Sequence, residues 1–260
     1  MIEKILFFFT DFKMNLIMKF ITLLKSALFL LLALIVFSFL IPKKQPAVLV
    51  FSKTNGYRHS SIPAGIAAIR ALGATNNFTV DATEDSLAFT DENLSKYKVV
   101  IFLNTTLNVL GEAQEKAFEK FIQKGCGFVG VHAAADCEYD WPWYVKMVGA
   151  SFLSHPEQQV AKLLVKDKSH GSTKHLPDVW ERKDEWYNFK SINPDVKVLI
   201  TIDENSYKGG KNGDNHPMAW YHSYDGGRAF YTEMGHTDES FSEPLYLQHL
   251  LGGIQYALKR

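Results

Sequence analysis

From residue 47 onward, short apolar runs alternate with polar, turn-rich stretches. Residues 47–52 (AVLVFS), 79–82, 99–103 (VVIFL) and 127–131 (GFVGV) read as strands of a buried sheet. The last of these shows no in/out alternation, as a parallel strand covered on both faces requires. Helical patterns stand between the runs. Ser60 or Ser61 can cap a helix that carries Pro63 in its first turn and Gly73 at its end. Residues 91–94 read as one helical turn. Residues 112–123 read as a helix with Ala113, Ala117, Phe118, Phe121 and Ile122 on one face and Gly125 beyond it. Strand and helix in alternation predict a mostly parallel, doubly wound α/β sheet.

The second half is less regular. Residues 160–165, 196–202, 218–222 and 228–232 predict further strands, 143–148 a helix, and 245–258 a closing amphipathic helix. The polar stretch 166–188 reads as one long loop ending in Asp184-Glu185-Trp186-Tyr187, and a loop of that length in a compact domain is usually functional.

A parallel sheet brings Arg58, His59, Asn104, His132, Glu233 and His236 to its carboxyl edge, where open α/β sheets place their ligands. His155 and Glu185 can close over that rim. A helix starting just after His132 would turn its positive end to the imidazole and favour the neutral form. Two chemistries use such a set. Three ligands, His132, His155 and His236, can hold a divalent metal such as zinc with a position left open. Alternatively His132 or His59 works with Glu185 as an acid/base pair, and Asp136, Glu185 and Glu233 are the carboxylates that glycoside cleavage would need. Catalytic candidates are therefore His132, His59, Glu185 and Asp136. Arg58, Asn104, Tyr187 and Glu233 are substrate-binding candidates.

Composition narrows the partners. The 28 basic and 28 acidic side chains among 260 residues cancel, so no field recommends nucleic acid. Flat aromatic faces beside polar groups, as in Trp141-Pro142-Trp143-Tyr144 and Trp220-Tyr221-His222, read first as core and rim packing and second as faces for a small-molecule carbohydrate. Cys126 and Cys137 flank the central strand too far apart for a disulfide, which predicts two free thiols. Residues 27–41 are apolar apart from Ser38 and follow Lys13, Lys19 and Lys25. That pattern fits a signal peptide or, counted over residues 16–41, a membrane anchor. The expected organisation is a leader or anchor over 1–45 and one domain over 46–260, exported to the periplasm or anchored facing outward.

Several ordered motifs resemble the ThuA-like family, named for trehalose utilisation. They are GYRHSSI (56–62), GFVGVHA (127–133), SHP (154–156), DEWYNF (184–189), PMAW (217–220) and GRAFYTEMGH (227–236). The resemblance implies a flavodoxin-like sheet similar to class I glutamine amidotransferases, with a sharp turn after the central strand. Those enzymes carry a nucleophilic cysteine at the turn; the matching place here is His132, so amidotransferase activity is not expected. The family is associated with sugar metabolism, including keto-sugar derivatives of disaccharides. The expected function is processing of a sugar or keto-glycoside by a hydrolase, lyase or isomerase, with a non-catalytic carbohydrate-binding module as the alternative.

Overall fold

The computed structural model describes residues 14, 18–26, 28–29 and 45–259. The chain divides between Lys44 and Gln45. Residues 18–26 are helical, and among the described residues no helix is long and apolar enough to cross a membrane. Most of residues 16–41, where a membrane anchor was expected, lies outside the described residues.

The unit from Gln45 begins with β1 (Ala47–Phe51), α1 (Ile62–Thr75), β2 (Thr79–Thr83), α2 (Asp91–Leu94), β3 (Tyr97–Leu103), α3 (Glu112–Gln123) and β4 (Gly127–Val131). It continues with α4 (Pro142–Val148), β5 (Ser151–Ser154), β6 (Gln159–Val165), β7 (Val179–Asp184), β8 (Asn188–Lys190) and β9 (Lys197–Ile202). Then come β10 (Pro217–Tyr224), β11 (Gly227–Thr232) and α5 (Pro244–Ala257). One sheet runs β2-β1-β3-β4-β11-β10-β9-β6-β7, and β5 pairs with β8 in a separate ribbon.

The strands from β2 to β11 in that order are mutually parallel, as expected. From β11 to β7 every pairing is antiparallel. Alternating sense returns β9 and β7 to the direction of β11. The carboxyl end of β7 therefore emerges at the same edge as those of β1, β3, β4 and β11.

Central burial follows from the apolar runs. All of β4 is buried, and α3 lays Ala117, Phe118, Phe121 and Ile122 on the sheet. Phe118 stacks on Phe102 at 5.5 Å, and each such buried ring contributes about 1.5–3 kcal/mol. Gly127 admits no larger residue cheaply, because a Cβ there would stand 2.5 Å from the Ala257 carbonyl of α5.

The stretch expected as one loop, 166–188, contains β7 and the start of β8. In β7 alternate residues are buried, namely Trp180, Arg182 and Asp184. Two of the three inward positions are charged, so the period of two was present without its apolar signature. Arg182 and Asp184 pair at 3.1 Å, which is how both charges are tolerated inside.

Candidate functional site

The turn after β4 fixes the centre. His132 is fully buried and adopts a left-handed φ of 47°, opening a single 3-10 turn to Ala135. Its carbonyl accepts from the Tyr231 hydroxyl at 2.7 Å. Its Nδ1–H donates to the Glu233 carbonyl at 2.6 Å, which turns Nε2 toward the rim. There Nε2 lies 3.1 Å from His236 Nδ1 and 3.4 Å from Glu185 Oε2, and those two atoms are 3.1 Å apart. The three atoms thus form a nearly equilateral triangle. His59 stands edge-on to both histidines, at 5.0 Å from the His132 ring and 4.9 Å from that of His236. One ligand atom from each of His59, His132, Glu185 and His236 lies within 4.8 Å of every other. The Nδ1 of His59 is buried with no hydrogen-bond partner.

Asp184 holds two of these groups in register. Its buried carboxylate accepts from the backbone N–H of Glu185 (3.0 Å), Gly235 (3.1 Å) and His236 (3.3 Å), and from the Ser240 hydroxyl (3.1 Å). Gly235 is required where it stands: its φ is 118°, and a Cβ would meet the Tyr246 hydroxyl at 2.6 Å. The Gly235 carbonyl accepts from Ser61 Oγ and Asn104 Nδ2, both at 3.2 Å. Ser61 therefore makes no side-chain cap at α1, contrary to expectation, and ties the His59 loop to the His236 loop instead.

Electrostatics follow from burial and neighbours. Desolvation disfavours charge on His132, but hydrogen bonding to Glu185 and Glu233 outweighs it and pushes the imidazole up to about 10. The carboxylates of Glu185 and Glu233 thus oppose the neutral form expected of His132, and the helix start after it is a single 3-10 turn. Burial also opposes ionisation of Glu185, yet His132 and His236 hold its carboxyl well below the usual range. Desolvation, reinforced by His132 and His236, drives His59 down to about 2, leaving it neutral. Burial raises Glu233 to about 7. With His59 neutral and Glu185 ionised, a proton on His132 balances the charge of the cluster.

A cleft of about 340 Å³ opens over this floor, walled by Tyr57, Asp136, Phe152, His155, Gln158 and Tyr187. Of the residues expected at the rim, His59, His132, Glu185 and His236 are brought together. His155 reaches the other oxygen of Glu185, Oε1, at 3.1 Å and is half-exposed at the mouth. It lies outside the four-atom group, whereas His59 and Glu185 lie inside it. Asp136 and Tyr187 line the cleft; burial raises the Asp136 carboxyl, which accepts from the Tyr139 hydroxyl. Glu233 sits behind the site, its Oε1 3.7 Å from His132 Nδ1 and 2.9 Å from the Tyr187 N–H. Asn104 is buried behind the site, donating to Ser61 and Gly235. Arg58 faces away from the cleft, in a bidentate pair with Glu84 at 2.7 and 2.9 Å. Sequence reasoning missed Asp184 as the organiser and Tyr57, Phe152 and Gln158 as walls. Its only signal for Asp184 was adjacency to Glu185.

Both cysteines are free, as expected. Cys137 is buried with its thiol on the Leu107 carbonyl, and Cys126 precedes the amino end of β4. Neither lines the cleft.

A family model described as ThuA, trehalose utilisation, matches residues 47–257. The chain belongs to this family. A ThuA-like protein from Bacteroides uniformis superposes with a TM-score of 0.70 and 27% identity, over 83% of this chain and 93% of that one. A ThuA-like protein from Parabacteroides merdae gives 0.67 and 20%, over 82% and 90%. A β-galactosidase from Bacillus circulans sp. alkalophilus shares the fold at 0.54 and 14%, over 84% of this chain but 32% of its own. No curated protein matches the sequence. Membership in the ThuA family gives the chain a carbohydrate-related role and fits the class I glutamine amidotransferase-like fold.

Proposed function

We propose that the cleft processes a sugar or keto-glycoside, with a divalent metal such as zinc held by His132, Glu185 and His236 and approached by His59. The supporting observation is the triangle of 3.1, 3.4 and 3.1 Å between their ligating atoms. Metal bonds of about 2.0–2.1 Å give a tetrahedron with edges of about 3.3–3.4 Å, so the triangle is close to one face. The Nδ1–H of His132 on the Glu233 carbonyl supplies the outer support that metal-bound histidines use. Such a metal would supply Lewis-acid polarisation of a sugar oxygen.

The chain's own groups do the rest. Tyr57 and Phe152 offer flat walls to a sugar ring. Asp136 and His155, at the cleft wall, are placed to exchange protons with it. Glu233 and Asp184 orient the histidines without touching substrate. Without metal, the cationic His132 beside ionised Glu185 is an acid/base pair, the second reading.

Incubating the protein with a disaccharide and with its keto derivative, followed by NMR of the products, tests this reading. Turnover of either, abolished by Glu185→Gln, is expected. Binding without any turnover would make the chain a carbohydrate-binding module instead. Export remains part of the proposal, resting on the apolar stretch after Lys25. Cell fractionation that finds the protein in the cytoplasm would refute it.

A further inference from the structure

The wall of the histidine cleft continues past its mouth. Tyr57 lines the cleft and is nevertheless 66% exposed, so one side chain bounds the cleft and forms the surface outside it. Leu107 extends that surface. It is 43% exposed and packs on Gly56, the chain neighbour of Tyr57, where a Cβ would stand 2.9 Å from the leucine Cγ.

Two costs meet at Leu107. Its φ of 59° places a bulky side chain in the left-handed region, and its exposure forgoes the gain of burial. The surroundings hold it there. Its N–H donates to the Asp136 carbonyl (2.8 Å), and its own carbonyl accepts from the Glu138 N–H (3.2 Å) and the Cys137 thiol (3.0 Å). The buried Glu138 carboxylate then accepts from the N–H groups of Val109 (2.9 Å) and Leu110 (2.8 Å), which fixes the chain beyond. Strain that persists under such bracing points to a use for the side chain it presents. Tyr57 is braced as well. Thr106 Oγ1 accepts from the Gly56 N–H and donates to the Tyr57 carbonyl, both at 3.1 Å, and the tyrosine ring meets His59 edge-on at 4.9 Å. Aromatic and aliphatic surface thus form a fixed ledge that opens directly from the cleft.

The polar groups around the ledge are amides. Asn55 and Asn108 are both exposed; Asn55 gives one side-chain N–H to the Asn108 carbonyl, Asn108 gives one to Asp140 at 2.9 Å, and each amide keeps further donors and acceptors. Arg58 is committed to Glu84, and the Asp140 carboxylate on this side repels an anion. An apolar face flanked by amides suits an uncharged sugar ring, which covers the face with its C–H groups and bonds the amides with its hydroxyls.

We propose that this ledge binds the second, uncharged ring of a two-unit carbohydrate whose reacting ring occupies the histidine cleft. The assignment rests on the reading of that cleft as the sugar-processing site. A cleft of about 340 Å³ is near the lower end for ligand pockets and takes one ring, so the second lies outside it, and Tyr57 is where the two spaces meet.

The test measures binding of trehalose, maltose and cellobiose, with methyl glucoside as the single ring, by calorimetry on the full wild-type chain and on Leu107→Asn. Asparagine tolerates the left-handed backbone, so this variant removes the apolar side chain while keeping the fold, and its thermal midpoint should not fall. At least one disaccharide is expected to bind the wild-type chain about tenfold more tightly than methyl glucoside and to lose that advantage in Leu107→Asn. Methyl glucoside affinity should be unchanged in the variant, since Leu107 does not line the cleft. A disaccharide advantage that survives in Leu107→Asn, or a variant that unfolds at a lower temperature, would overturn the proposal. Wild-type dimers that the variant dissociates would also overturn it, by making the ledge a contact between copies. Methyl glucoside binding with no gain for any disaccharide overturns the ledge alone, whereas no binding of any of these sugars overturns the reading of the cleft itself.

Discussion

His132 meets two demands at once, a left-handed backbone and complete burial. A left-handed conformation costs a non-glycine residue about 1–2 kcal/mol, and hydrogen bonds from Tyr231 and to Glu233 hold it there. Replacing Tyr231 with Phe leaves the buried His132 carbonyl without its hydroxyl partner. The expected cost is about 1–3 kcal/mol in denaturant unfolding, with weaker metal binding; stability and affinity equal to wild type would contradict this role. His132 could be read from the sequence because it terminates a clean apolar run. The support from Tyr231 and the near-contact of Glu185 arise only when distant strands meet, and no local pattern encodes them. Arg58 shows the converse, since its place beside His59 in the chain says nothing of its pairing with Glu84.

At the scale of elements, β7 decides the geometry of the site. It delivers Glu185 to the carboxyl edge and anchors the loop after β11 through Asp184. Asp184→Ala would leave Arg182 buried with only Glu243 as its charged partner. We expect a loss of about 3–5 kcal/mol, smaller in Asp184→Asn, together with simultaneous loss of Glu185 and His236 from the proposed metal site. Thermal unfolding and metal titration of both variants check this; a destabilised protein with intact metal affinity would separate Asp184 from the site. The strand escaped sequence reading because its inward residues include a salt bridge. By contrast β1, β3 and β4, and the helices α3 and α5, were readable because their buried faces are apolar.

For the whole molecule, the parallel half of the sheet was legible from strand and helix alternation, whereas the antiparallel arm was not. Strand sense depends on connection geometry, and the links from β4 to β9 lack the regular crossover helices that signal parallel pairing. One buried histidine contributes to acid sensitivity. Burial drives His249, enclosed between the Ser172 carbonyl and the Thr232 hydroxyl, down to about 3. Above its unfolded value of about 6.5 the group has no effect. As pH falls from there toward 3 the unfolded chain binds a proton that the folded chain refuses, so stability drops by about 1.4 kcal/mol per pH unit from this group alone. His249→Gln should flatten that acid limb in denaturant titrations, and an unchanged slope would contradict the assignment.

His59, His132, Glu185 and His236 stand together at the carboxyl edge as the proposed metal site. Elemental analysis of the chain purified without chelator or metal-binding tag, beside His132→Ala and His236→Ala, decides whether they hold an ion. About one zinc or similar divalent ion per wild-type chain is expected, and none in either variant. A folded wild-type protein that carries no metal, and takes up none on titration with zinc, would contradict it.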